Sequence, residues 1–191
     1  MLVEGEVKLN RSILDLLRYG GCILYARHGE ATVGADQPII NFQDCSTQRN
    51  LSEMGKRQAI YYGEILRYLR IPIGYPILAS PFCRTIDTAH LAFGGTNVQI
   101  DPFWIEIYKL SGNMTTSEQI RILNSLNARL EIKPAQGTNN VIIAHSFPTG
   151  IGLGQIQNME TVIVKPLGPG NGYLILDKLS LSDLGALQPS F

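Results

Sequence analysis

Charge of one sign is missing from this 191-residue sequence: sixteen Lys and Arg balance sixteen Asp and Glu. The whole-molecule field therefore gives no reason to expect nucleic acid or an anionic membrane as partner, and any anion chemistry must come from a local cluster. Long apolar runs are also missing. No stretch approaches the roughly 18 apolar residues of a membrane span, and the opening "MLVEGEVKLNRSILDLLRYGG" is acidic at its start and broken by Asp15 and Arg18, unlike a secretory signal. Cysteine is sparse: Cys22, Cys45 and Cys83 are an odd number without a CxxC or CxxH pair. That pattern fits neither a disulfide framework nor a zinc ribbon, so inert thiols in a reducing compartment, and a soluble cytoplasmic protein, are the expectation. No GxxxxGK loop, kinase signature or HExxH is present, which argues against nucleotide-driven transfer and short-spaced metal ligation. Repeats, low-complexity tracts and linkers are absent too, so residues 1–191 are expected to form a single domain, and 45% hydrophobic residues suffice for its core.

What is there is alternation. "CILYA" (22–26), "PILAS" (76–80) and "VIIA" (141–144) are short, near-continuous apolar runs, the pattern of strands buried on both faces. Helical segments lie before and between them. Ser12 caps a short helix over 12–19 that "GG" closes, and residues 53–69, capped by Ser52, place Ala59, Tyr62, Gly63, Leu66 and Leu69 on one face. A further helix over 117–130 is entered through "TTSEQ", where Thr115 with Glu118 or Thr116 with Gln119 has capping-box spacing. "ETVIVKP" (160–166) and "GYLILD" (172–177), joined by "LGPGN", read as an antiparallel strand pair. The fold class is therefore α/β, a three-layer α/β/α sandwich with a mostly parallel central sheet and an antiparallel edge.

Three polar groups fall in equivalent places on that plan. Arg27 and His28 follow the first strand, Arg84 in "SPFCRTIDTA" follows the second, and His145 follows "VIIA". Beyond the carboxyl ends of parallel strands is where such sheets bind ligands. Arginine offers a permanently charged fork to phosphoryl oxygens, a neutral imidazole can attack phosphorus, and an imidazolium can donate to oxygen. Gly29 would let backbone approach a bound anion with positive φ, and helix N-termini after "ASP" and "AHS" would add amides to the crevice.

"YARHGEAT", "SPFCRTIDTA" and "VIIAHS" resemble, in motif and order, the histidine phosphatase superfamily, the group that includes cofactor-dependent phosphoglycerate mutase. "RNLSEMGKRQA" (49–59) and the closing strand pair extend the likeness over nearly the whole chain. The resemblance implies a phosphoglycerate mutase-like fold and a phosphomonoester phosphatase in which His28 becomes phosphohistidine, while Arg27, Arg84 and His145 hold the phosphoryl oxygens. It also implies an acid between the second and third motifs. Glu106 in "WIEIY" stands where that residue is expected, with Asp101 the competing carboxylate, although "FWIEIYKLSGN" is shorter than the pattern of phosphoglycerate mutase relatives. No cofactor or metal is implied, and the expected partner is a small phosphorylated substrate. Mutases of the family tend to be longer, so hydrolysis is preferred over phosphotransfer in this compact chain.

Blander readings stand beside these. A lone histidine beside an apolar run is more often a packed residue than a catalyst, but two buried guanidinium groups demand an anion. That anion is either a ligand or a structural carboxylate, for which Glu30 and Asp87 are the candidates. Arg49 and Asn50 either reach the substrate from the loop after the first motif or cap the following helix. His90 reads as a helix-surface or packing residue, and Trp104 as a partly buried anchor. Two rivals remain from other classes: a catalytically inactive phosphate-ester-binding protein, and a metal protein using His28, His90, His145 and Cys45.

Overall fold

A computed structural model describes residues 12–187; residues 1–11, the first part of the opening read as lacking a signal, lie outside the described residues. Strand β1 (Ile23–Arg27) is followed by helix α2 (Glu53–Tyr68), β2 (Ile77–Ala79), α3 (Cys83–Phe93), β3 (Val98–Ile100), α4 (Trp104–Lys109), α5 (Thr116–Leu130), β4 (Asn140–Ala144), β5 (Thr161–Pro166), β6 (Tyr173–Leu179) and α6 (Leu181–Gly185). Helix α1 (Ile13–Tyr19) precedes them, capped by Ser12, whose side chain accepts from the Asp15 N–H. The sheet runs in the order β3-β2-β4-β1-β5-β6. Its first four strands are parallel, and β5 and β6 are antiparallel.

Alternation along β1 shows why the runs looked continuous. Leu24 and Ala26 belong to one apolar cluster with Leu14 and Leu17 of α1, Tyr62 and Leu66 of α2, Ala89 of α3 and Leu184 of α6. Ile23 and Tyr25 belong to the other, with Trp104 and Ile107 of α4 and Ile122, Leu126 and Leu130 of α5. Both faces of the strand are covered, as a parallel sheet between helix layers requires. The three-layer α/β/α sandwich is therefore the observed architecture.

Local chemistry sets the helix ends. Ser52 accepts from the Gly55 N–H to start α2, and at α5 it is Thr115 with Glu118 that forms the capping box. Short β3, the one-and-a-half-turn α4 and α6 carried too little periodicity to be read from sequence. The helix expected after "AHS" does not form: residues 145–159 are turns and irregular chain leading into β5. Among the described residues no helix is long and apolar enough to cross a membrane.

Candidate active site

Register brings the site together. In the parallel β1–β4 pair, Arg27 lies opposite Ala144, so His28 and His145, one residue further on, sit side by side beyond the carboxyl ends with ring centroids 5.6 Å apart. On the other side of β4, Ala79 pairs with Ile143, which places Ser80 next to His145; the Ser80 hydroxyl and His145 Nε2 are 2.9 Å apart. Arg84, on the first turn of α3, reaches back so that its Nε–H donates to His28 Nε2 at 3.2 Å. Thr88, one turn later, accepts the Gly29 N–H and ties the first motif to that helix.

Hydrogen-bond partners fix the tautomer of His28. Its Nδ1 is 2.7 Å from the Gly29 carbonyl, which can only accept, so Nδ1 carries the proton. Nε2 is then the unprotonated nitrogen. His28 and His145 are 5% and 3% exposed. Burial first, then the Arg84 guanidinium, push the His28 pKa down to about 3, against the opposing Gly29 carbonyl hydrogen bond and with lesser help from Arg27 and Arg49. His145 is lowered by burial, by His28 and by the same two arginines. Both imidazoles are neutral at pH 7. The aromatic wall formed by Phe82, 4.8 Å from His145 and 4.3 Å below the Arg84 guanidinium, keeps the local dielectric low.

Neutral buried histidines make the fold acid-sensitive. The unfolded chain takes up a proton near pH 6.5 that folded His28 refuses until about 3. Stability is thus fully present above pH 6.5 and lost as pH falls, by up to about 1.4 kcal/mol per pH unit for each such imidazole. Asp36, whose pKa is also depressed, adds to the loss lower down the carboxylate range. The urea midpoint should fall steadily between pH 6.5 and 4, with a shallower slope in His28→Ala. A midpoint flat over that interval contradicts the buried neutral assignment.

Arg27, His28, Arg49, Arg84 and His145 all line one cavity of about 380 Å³, together with Asp36, Tyr108 and Ser146. Arg27 is steadied by its Nη1–H donating to the Ile156 carbonyl, and Arg49 by its Nε–H donating to Thr32 O. Four expectations change. Asn50 does not line the cavity; its Nδ2 donates to the Cys45 carbonyl, so it shapes the loop. Gly29 does not have positive φ. A Cβ there would meet the Gly55 carbonyl oxygen at 2.5 Å, so its bareness serves the close packing of the first motif on α2. Glu106 faces a neighbouring cavity of about 660 Å³ and pairs with Lys109 (2.9 Å) and Arg121 (3.6 Å). Glu106 does not line the His28 cavity, whereas Tyr108, two positions further along α4, borders both spaces. Asp101 lies outside as well, where it pairs with Arg129 at 3.7 Å.

The carboxylate that does reach Arg84 is Asp36, and neither Glu30 nor Asp87 partners it. Arg84 Nη1 donates to Asp36 Oδ1 at 2.9 Å and Nη2 to Oδ2 at 3.2 Å, with the two side chains 4% and 7% exposed. Tyr108 donates to Oδ2 at 2.9 Å and the Arg49 N–H to Oδ1 at 2.8 Å. Burial acts to raise the Asp36 pKa, but Arg84, Arg49 and Tyr108 together hold it below the usual carboxylate range. No sequence pattern marks Asp36. Only the requirement that a buried guanidinium find an anion pointed to such a residue.

Asp36 rides on the 31–50 loop, and that loop is fastened to the start of α3. Gln48 Oε1 accepts the Cys83 N–H, supplying the cap that Phe82 lacks, and Cys45 forms a disulfide with Cys83 across 38 residues. The inert-thiol expectation holds only for buried Cys22, and the cysteine argument for a reducing compartment falls with the other two. Closing a loop of that length restrains the unfolded chain by up to about 4 kcal/mol, with 2–4 typical. Cys45→Ser is expected to lower unfolding free energy by about 2–4 kcal/mol, read from denaturant titration with and without reductant; identical curves would show that the bond contributes nothing. Among the described residues no group of three His, Cys, Asp or Glu is placed to hold a metal ion.

Fold and cavity together define an α/β protein with a cationic, histidine-bearing pocket at the carboxyl edge of a parallel sheet. The sequence profile of the histidine phosphatase superfamily (branch 1) matches residues 23–159, and the chain belongs to that superfamily. Solved structures agree in fold. The protein histidine phosphatase SixA complexed with tungstate superposes with a TM-score of 0.56 at 16% identity over 85% of this chain and 99% of its own. A mutant phosphoserine phosphatase of Entamoeba histolytica in complex with phosphoserine gives 0.53 at 17% over 85% and 98%. A mycobacterial glucosyl-3-phosphoglycerate phosphatase gives 0.51 at 18% over 76% and 92%. No curated protein matches the chain in sequence.

Proposed function

We propose that this protein is a phosphomonoester phosphatase that works through a phosphohistidine on His28. The observation that carries the reading is the unprotonated Nε2 of a buried neutral imidazole beside the Arg84 guanidinium, in a cavity also lined by Arg27, Arg49 and His145. Nε2 releases the Arg84 Nε–H and attacks phosphorus as the bond to the leaving oxygen breaks. Arg27 and Arg84 neutralise charge on the non-bridging oxygens, which is catalysis by position and electrostatics. His145 Nε2 and the Ser80 hydroxyl share a hydrogen bond; in the tautomer in which Ser80 donates, His145 holds its hydrogen on Nδ1 and offers it to the same oxygens. Water then attacks the phosphohistidine and releases phosphate.

Similar structures include a protein histidine phosphatase, a phosphoserine phosphatase and a glucosyl-3-phosphoglycerate phosphatase. That range supports a shared phosphoryl-handling end with a variable leaving-group side. In this chain the leaving-group side is the neighbouring cavity past Tyr108 and Ser111, which line both spaces. A phosphate-release screen over phosphorylated metabolites, with His28→Ala as the blank, tests the reading. Release lost in the variant supports it; equal release in both ends it.

A further inference from the structure

Four of the five N–H groups of Arg84 are engaged, and its fork is closed by one carboxylate: Nε bonds His28, Nη1 bonds Asp36 and the Arg49 carbonyl, and Nη2 bonds Asp36. A two-pronged grip of the Nη1–Nη2 fork on a phosphoryl group requires the Asp36 carboxylate to give way, and an incoming anion most readily replaces an anion. We propose that Asp36 is the proton donor and acceptor of the reaction, brought into play when the phosphate ester takes its place on Arg84. The inference rests on the phosphatase reading above.

Three features favour Asp36 over every other carboxylate. It lines the same cavity as His28, whereas Glu106 and Asp101 do not. Its second anchor, Tyr108, lies on the wall between this cavity and the leaving-group side, so a carboxyl group that keeps this bond stays where the departing oxygen emerges. It is carried by the 31–50 loop, whose residues 32–46 are mostly exposed, so a small movement needs no core to repack.

Exchange also supplies the proton. On Arg84, Asp36 is held ionised. Loss of that cation and arrival of a phosphate beside it both favour the protonated form. A phosphate monoester, with a second pKa of about 6, can deliver the proton itself. The Nε2–P bond then forms as the P–O bond breaks, the Asp36 proton passes to the leaving oxygen, and an alcohol departs. In the second half the ionised Asp36 takes a proton from water as its oxygen bonds to phosphorus and the N–P bond breaks. Phosphate, neutral His28 and protonated Asp36 result.

Rapid-quench measurement of the phosphohistidine burst tests this on the full chain, using 4-nitrophenyl phosphate, whose leaving group needs no proton, and an alkyl phosphate, whose leaving group does. In Asp36→Asn the nitrophenol burst is expected within about threefold of the parent rate, followed by turnover slowed about 10²-fold or more as phosphohistidine accumulates. The alkyl burst itself is expected to slow about 10²–10³-fold, the usual worth of a general acid. Equal slowing of both bursts would mean that Asp36 only positions Arg84 and would overturn the proposal. So would selective slowing of the alkyl ester by Glu106→Gln in its stead. Absence of any burst from the parent protein strikes the phosphatase reading itself, a failure distinct from these.

Discussion

Replacing His28 by alanine is expected to reduce phosphate release by at least about 10⁴-fold, to the level of the uncatalysed background plus whatever the cationic pocket contributes alone. No other imidazole or thiol among the described residues is placed to substitute for His28. His145 Nε2 is taken up by Ser80, His90 is exposed on the far part of α3 and does not line the cavity, and Cys22 is buried in the α1–α2–α3 core. No other nucleophile among the described residues stands where Nε2 of His28 stands. Ten-thousandfold corresponds to about 5.5 kcal/mol of barrier. Simple loss of packing cannot mimic it, because a cavity in the site lowers stability without removing a covalent step. Mass spectrometry of acid-labile phosphate is the companion measurement: the parent protein should carry one phosphoryl group on the peptide containing Arg27 and His28, and the variant none. Release from His28→Ala within tenfold of the parent would transfer the nucleophile's role to water.

Much of this arrangement was readable because parallel strands buried on both faces leave an unmistakable apolar signature, and because register forces whatever follows such strands into one crevice. His28 and His145 meet for that reason alone: β1 and β4 are neighbours in register, and each histidine is the first residue past its strand's end. Arg84 follows from the same geometry with one helical turn added. The antiparallel pair was legible from its length and turn chemistry. What the chain's own pattern hid depends on long-range closure. Asp36 and Cys45 sit in the irregular 31–50 loop, where no period predicts direction, and their partners lie 48 and 38 residues away. Glu106 illustrates the opposite case. Position along the chain suggested the site, but the Glu106 side chain pairs with Lys109 and Arg121 beside the neighbouring cavity, which Tyr108 borders as well. Gly29 was read through its ligand chemistry when its neighbour in space, Gly55, explains it better. Asn50 was likewise read by proximity to Arg49, though the two side chains turn in different directions.

Arg84→Ala should be nearly as damaging to turnover as loss of His28, and it should carry a second signature that separates electrostatics from folding. On the catalytic side, the proposed mechanism has the guanidinium give two N–H groups to the phosphoryl oxygens once Asp36 yields them. Removing one such preorganised donor costs about 10²–10³-fold, so about 10³-fold in kcat/KM is expected for the pair. Arg84→Lys should recover little, because an ammonium cannot reproduce the fork and would have to be desolvated against the Phe82 ring. On the stability side, the change strands the Asp36 carboxylate, 7% exposed, with only Tyr108 and one backbone N–H as donors. Breaking a buried ion pair from one side costs about 3–5 kcal/mol when the remaining charge has no escape. Here it has one, protonation, so the deficit at pH 7 should shrink as pH falls through the carboxylate range. Asp36→Asn introduced on top should remove most of it, giving a double-mutant cycle with a coupling energy well above the few tenths expected of unrelated sites. Strictly additive losses, unchanged between pH 7 and 5, would show that Arg84 and Asp36 do not sense each other's charge, and the exchange of anions on which the proton-transfer argument turns would have no physical basis.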